Sequence, residues 1–254
     1  MKRPHITLSI IIVTWNSEQD IINCLSSVYT STRHIKIEII VVDNKSSDQT
    51  VQTIHAYFPN VHVLKQKINY GFGQGNNIGL RKAKGTYILL LNPDTIMNAH
   101  AVKVMMHFLD SHPRTGVVGP EQFNDAGNMI FMTSRLSLVG VCEYLVEKLH
   151  RIFFNRTVVL FPWPHKTYML NAGCLLTRKN QLPTRQWFDP ECFIYGEEQY
   201  LFKRVNEQHW HVYFLRNCSI VHLREKSIMQ TKNKAKYTFD SAKILLKKSF
   251  VFRN

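Results

Sequence analysis

Residues 36–44, KIEIIVVDN, decide the fold. Six positions from Ile37 to Val42 are apolar but for Glu38, and β-branched residues dominate. The run then stops abruptly at Asp43 and Asn44. A short β-branched run bounded by polar residues reads as a buried strand. Working outward, three similar runs flank it: ITLSIIIVTWN at 6–16, VHVLKQ at 61–66 and TYILLLNPD at 86–94. Between the first two, Ile21, Ile22, Leu25 and Val28 recur at helical spacing over 17–29. Ser46 and Asp48 offer N-caps for a helix after Asn44. The glycine-rich stretch NYGFGQGNNIGL, 69–80, reads as a turn entering a helix that runs toward Lys84 and ends at Gly85. Continuous apolar strands alternating with helices predict an α/β fold whose mostly parallel, Rossmann-like central sheet is covered on both faces by helices.

The strand ends carry the polar chemistry. In such sheets ligands bind beyond the carboxyl ends of the strands. Asn16 follows the first strand, Asp43 and Asn44 the second, and Asp94 the fourth. At any single strand end a polar residue is an ordinary terminator, so the weight rests on three ends agreeing. The glycines at 71, 73, 75 and 79 fit neither a Walker loop nor G-x-G-x-x-G. They could bring backbone close to a ligand, or could serve only a tight connection before a helix.

The second half is less regular. Helical spacing recurs at 99–109 and over 139–154, VGVCEYLVEKLHRIFF. Residues 155–170 are aromatic and proline-punctuated and read as a loop. YMLNAGCLLTR at 168–178 reads as a strand, 196–208 as a helix, and HVYFL (211–215) and CSIVHL (218–223) as two short strands. The tail from Lys232 to Asn254 is basic and partly amphipathic.

Bulk composition narrows the classes. A chain of 254 residues, 44% hydrophobic and 20% charged, is ordinary for a globular protein with a sizeable core. Its formal charge of +14 is not ordinary and suits anionic partners: nucleic acid, phosphate-rich ligands or an anionic membrane face. Five widely spaced cysteines without C-x-x-C argue against a disulfide framework and a thiolate zinc site, and for reduced thiols in a cytoplasmic protein. The early apolar run is only about eight residues, so it reads as a strand and not a signal peptide. Nothing approaches the roughly 18 consecutive apolar residues of a spanning helix.

Three polar residues stand out chemically. Asp94, in LLLNPDT, sits just past a buried strand where Pro93 stiffens the turn. It can give an oxygen ligand to a hard divalent cation on a nucleotide diphosphate, or simply cap the turn. Glu197 and Glu198 stand together at a helix start, which the helix dipole favours whatever their function. A glutamate there can also take a proton from an attacking hydroxyl. His222 follows an apolar strand as a structural imidazole or a metal ligand.

In this order the segments SIIIVTWNS (9–17), EIIVVDNKSSDQT (38–50), NYGFGQGNNIGL (69–80), YILLLNPDT (87–95), LNAGCLLTR (170–178), FDPECFIYGEEQYLFKR (188–204) and SIVHL (219–223) resemble glycosyltransferase family 2. The likeness is to its GT-A fold and, within it, to the rhamnosyltransferase-like branch of bacterial surface-polysaccharide synthesis. The resemblance implies an inverting, metal-dependent hexosyltransferase. Its donor would be a nucleotide-diphosphate sugar, dTDP-rhamnose or a UDP-hexose, and its acceptor a hydroxyl of a glycan or lipid-linked glycan. It implies Asp43 on the donor base, near Thr14 and Asn16, with Asn69, Phe72, Asn76, Asn92 and Asp94 also toward the donor. Asp94 and His222 would hold Mn²⁺ or Mg²⁺, Mn²⁺ being favoured if the imidazole ligates. Asn92 replaces the first acid of the family's D-x-D. Glu198 falls on the Asp of the family's E-D pair and would be the base, with Gly173 and Glu197 on the acceptor side. Tyr200 stands where many relatives have another Asp.

The domain reading is one GT-A domain over 1–225, a nucleotide-sugar half (1–97) and an acceptor and catalytic half (98–225), followed by a basic helical tail (226–254). The tail suits the anionic cytoplasmic face of the inner membrane, in peripheral contact, or packs as an ordinary basic helix. Two rivals are a basic nucleic-acid-binding module and a catalytically inactive sugar-nucleotide-binding relative. Lack of any nucleic-acid motif opposes the first, and retained Asp94 and Glu198 oppose the second. A sugar-nucleotide pyrophosphorylase would need an Arg- and Lys-bearing glycine loop at the start, which is missing here.

Overall fold

The structure, a computed structural model, describes residues 6–130, 164–181, 186–193 and 197–223. In chain order the elements are β1 (Leu8–Thr14), α1 (Ile21–Ser31), β2 (Ile37–Asp43), α2 (Thr50–Tyr57), β3 (His62–Lys65), α3 (Gly71–Leu80), β4 (Tyr87–Leu91), β5 (Thr95–Met97), α4 (Ala101–Ser111), β6 (Thr115–Phe123), β7 (His165–Thr167), β8 (Cys174–Arg178), α5 (Glu197–Glu207) and β9 (His211–His222). The sheet runs β3-β2-β1-β4-β8-β6-β9-β5, with β7 beside β9. It is parallel from β3 through β4. Antiparallel pairings enter with β8, β5 and β7, while β6 and β9 run parallel.

Continuous apolar strands arise because both faces are covered. Ile10 and Ile12, Ile39 and Val41, and Leu89 and Leu91 face the core formed with α1, α2 and α4. Their neighbours Ile11 and Val13, Ile40 and Val42, and Ile88 and Leu90 face the opposite core, under α3, α5 and the 186–193 segment. Side chains alternate across a strand, so a strand covered on both faces must be apolar at every position.

Several elements differ from the sequence expectation, and β5 and β6 had no reading at all. The glycine-rich stretch is not a turn before a helix: α3 begins at Gly71 itself and ends at Leu80. The glycines serve close approach. A Cβ on Gly75 would meet Val13 Cγ1 at 2.7 Å, and one on Gly79 would meet Ile11 Cγ2 at 2.4 Å. Residues 211–223, read as two strands, form one strand, because a register shift at Pro120/Glu121 of β6 absorbs the irregularity between its halves. Residues 165–167 add a short strand to what reads as a loop, since backbone pairing with β9 satisfies them.

The helical readings at 139–154 and in the 226–254 tail lie outside the described residues, as does Cys142. Cys24, Cys174, Cys192 and Cys218 are buried. Burial pushes the Cys24 and Cys218 thiols up to about 12, which leaves them unreactive. Among the described residues no helix is long and apolar enough to cross a membrane.

Candidate active site

The parallel strands end in two tied loops. Thr14 closes β1 and Asp43 closes β2, register partners across the pair. Thr14 is fully buried and its hydroxyl donates to Asp43 Oδ1 at 3.2 Å. Asp43 also accepts from the Ser46 backbone N–H at 3.1 Å and from the Ser46 hydroxyl at 2.5 Å. A carboxylate has about four acceptor positions, so roughly one is left for a ligand. Asn16 takes a left-handed φ of 52°. Its side-chain oxygen accepts from the Ser47 N–H at 2.8 Å, and its own N–H donates to Ser46 Oγ at 2.9 Å. The two loops therefore hold each other before any ligand arrives. Trp15 stands 37% exposed at their mouth.

The glycine helix is clamped from both sides. Asn44 Nδ2 donates to the Gly71 carbonyl at 2.9 Å. Asn69 Oδ1 accepts from the Gly71 N–H at 2.8 Å. Gly71 itself has φ +79°, and a Cβ there would lie 2.0 Å from the Phe193 carbonyl oxygen. Asn77, fully buried, accepts from the N–H groups of Trp187 and Phe188 at 2.9 and 3.1 Å and donates to the Phe188 carbonyl at 2.9 Å. Phe72 meets Phe188 edge-on at 5.7 Å. Asn76 is 1% exposed and its amide donates back to the Phe72 carbonyl, so it supports the first turn from beneath.

The turn after β4 brings the acid and the histidine together. Asn92 donates its N–H to the Gly173 carbonyl at 2.9 Å, and Thr95 Oγ1 donates to the Asn92 carbonyl at 2.6 Å. This NPD turn presents Asp94 Oδ1 to His222 Nε2 at 3.0 Å, with Asn92 Nδ2 3.4 Å from the same nitrogen. Asp94 and His222 are 8% and 5% exposed. Residues 128 positions apart thus form one pair because β5 and β9 pair antiparallel, Thr95 opposite His222.

Glu198 lies in the first turn of α5, which Glu197 opens. Burial lifts its carboxyl above the ordinary glutamate range, and the N–H groups of Glu198 itself and of Ala172 pull it partly back. Ala172 is followed by Gly173, so two adjacent peptides connect the glutamate to Asn92. Sequence reading offered Ser46 as a helix N-cap, where the helix instead starts after Gln49, and did not single out Asn77 or Gln122. The first two form the scaffold; the Asn-Asn pair at 76–77 was the only available signal for Asn77.

A divalent ion on a nucleotide diphosphate takes one or two protein carboxylates and fills its remaining positions from phosphate and water. Among the described residues no cluster of three His, Cys, Asp or Glu side chains could hold an ion without such help. Asp94, His222 and the buried, unpartnered Asn92 Oδ1 fit an ion that arrives with its substrate.

Sugar transfer from a nucleotide diphosphate demands a nucleotide cradle, a place for diphosphate charge and a base, all at one sheet edge. The fold is the GT-A fold, and the class it defines is the glycosyltransferases. A family model described as Glycosyl transferase family 2 matches residues 9–182, and the chain belongs to that family. It is 32% identical over 108 residues to the Staphylococcus aureus poly(ribitol-phosphate) beta-N-acetylglucosaminyltransferase TarS, covering 41% of this chain and 19% of TarS. It is 23% identical over 238 residues to the Mycobacterium tuberculosis N-acetylglucosaminyl-diphospho-decaprenol L-rhamnosyltransferase, covering 87% of this chain and 77% of that relative. The crystal structure of S. aureus TarS 1-349 in complex with UDP-GlcNAc superposes with a TM-score of 0.63 at 18% identity, covering 91% of this chain and 64% of that one, a likeness of fold. The chain spans only about a fifth of the length of TarS.

Proposed function

We propose that the protein transfers a sugar from a nucleotide-diphosphate donor to a hydroxyl of a surface glycan or its lipid-linked precursor, inverting the anomeric centre. The observation that carries the reading is the Asp94–His222 pair, joined through Asn92, Gly173 and Ala172 to Glu198. That arrangement supports a diphosphate position and a base on opposite sides of one reacting carbon. The tied loops support donor binding: Asp43, with one acceptor position left, takes an N–H of the base, and Thr14 and Asn16 hold it in place. Asn69 and Phe72 shape the wall that α3 offers the donor, with Asn76 behind them.

Asp94 and His222, with Asn92, would hold Mn²⁺ or Mg²⁺, and the ion supplies charge neutralisation on the departing diphosphate. Glu198 accepts the proton of the attacking hydroxyl. Its raised pKa brings it closer to the working pH, which favours proton transfer provided it remains ionised. Glu197 and Gly173 border the acceptor side. The names of the relatives support a polymer or lipid-linked acceptor, and the formal charge of +14 suits an anionic one. A peripheral place at the cytoplasmic membrane face rests on the basic 226–254 tail.

The test is a panel of dTDP-rhamnose, UDP-hexoses and GDP-mannose, each with Mn²⁺, read by thermal stabilisation. A donor that binds only the folded state raises Tm by mass action. Stabilisation by at least one nucleotide sugar, lost in Asp43→Ala, is the expected result. No stabilisation by any member would overturn the reading.

A further inference from the structure

Gly173 stands at the junction of the site, and its missing side chain leaves a niche. It stands in the turn just before β8, between Ala172, which packs in the core under α3 and α5, and Cys174, which faces the α1 and α4 core. A Cβ built on Gly173 would lie 3.0 Å from Asn171 Oδ1, 3.1 Å from Gln122 Oε1 and 3.1 Å from His222 Cε1.

Gln122 is out of character for this place. It sits in β6, 1% exposed, and its Oε1 has no hydrogen-bond partner among the described residues. An unmet buried amide oxygen is destabilising, a cost an apolar residue in β6 would avoid. Two further buried atoms beside the niche are also unmet: Asn92 Oδ1 and His222 Nδ1. Three of the unmet buried atoms gather around this one glycine: Asn92 and His222 are the groups read above as fitting the ion, which leaves Gln122 Oε1 for a ligand of its own.

The chemistry of the niche selects the ligand. Gln122, Asn92 and Asn171 are neutral amides that donate and accept, as hydroxyls do. They offer no positive charge to a phosphate. On one side the niche borders His222, which pairs with Asp94; on the other, Ala172 leads to Glu198. That is the position the transferred ring must occupy between leaving group and base. We infer that Gln122 is a specificity residue that reads a hydroxyl of the transferred sugar over Gly173. The inference rests on the proposed transfer reaction and adds to it the part of the chain that distinguishes one sugar from another. A site built to bond a hydroxyl discriminates strongly against the analogue that lacks it, because its own polar groups are then left unmet.

The experiment compares wild type and Gln122→Leu in titrations with a nucleotide sugar, its parent nucleoside diphosphate and a deoxy-sugar analogue, all with Mn²⁺. Leucine keeps roughly the volume and removes the amide. The nucleoside diphosphate reports on folding and on the cradle. The expected result is an unchanged affinity for the diphosphate, a roughly tenfold or larger loss for the full nucleotide sugar, and a collapse of the preference over the deoxy analogue. Gly173→Ala, which puts a methyl into the niche, should weaken the nucleotide sugar and spare the diphosphate. Equal losses for sugar nucleotide and diphosphate, or no loss for either, overturn the assignment of Gln122 while leaving the transferase reading intact. A wild type that binds neither overturns both.

Discussion

The two halves of the sheet satisfy their polar groups to different degrees. At the ends of β1 and β2, Asp43, Thr14, Asn16, Ser46 and Ser47 bond to one another across the two loops. Between β4, β6, β8 and β9 more buried atoms stay unmet, Asn92 Oδ1, Gln122 Oε1 and His222 Nδ1 among them, whereas at the donor ends only Asn44 Oδ1 does among the described residues. The difference teaches where the molecule is finished and where it waits. The donor half is preorganised, so its residues hold the fold as well as the nucleotide. The catalytic half keeps unmet groups, so its residues should matter more to turnover than to stability.

The largest effect expected from this contrast is at Glu198. Glu198→Gln should lower turnover by at least about a hundredfold, while donor affinity holds and Tm does not fall. A variant that loses stability and activity together would break the contrast, because Glu198 would then be part of the scaffold. Next comes the seam between the halves. Gly71→Ala forces a side chain into a left-handed position and against the Phe193 carbonyl, and should cost about 3 kcal/mol in chemical denaturation. A cost below about 1 kcal/mol would show the seam to be loose.

In the donor half, Asp43→Ala strips the acceptor from Thr14 and Ser46 and should cost about 2 kcal/mol of stability in addition to nucleotide affinity. Unchanged stability in that variant would make Asp43 a binding residue only, and the two halves alike. The smallest effect is the pH dependence of Glu198. Its folded pKa lies above the unfolded value, so the folded state binds the proton more tightly and loses stability as pH rises through that interval. Glu198→Gln removes this loss. Its Tm should match wild type near about pH 4 and exceed it near about pH 8, and the acid limb of turnover in wild type should lie above the ordinary glutamate value of about 4.3.

Much of this contrast was legible in the residues, unevenly. The parallel half followed from apolar runs because every strand position is covered and the pattern is local. Asp43, Asp94 and Glu198 stood out only in combination, because each alone is an ordinary strand terminator, turn cap or helix-start acid. The clamps were not legible. Asn77 bonds residues 110 and 111 positions later, and no local pattern tells one buried asparagine from a surface one. The glycines of α3 read as a loop because glycine disfavours helices, and only the approach of Val13 and Ile11 reveals why the helix needs them. Gln122 carried no signal at all, since its meaning depends on Gly173, about 50 residues away, and on His222 beyond it.

Single displacement by a hydroxyl activated at Glu198 is the centre of the proposed chemistry, and water can stand in for the acceptor. An early time course of donor hydrolysis, followed by the proton NMR signals of the anomeric centre before mutarotation, reads the stereochemistry directly. The account predicts that the first free sugar released carries the anomeric configuration opposite to that of the donor. Release with the donor's own configuration would contradict it.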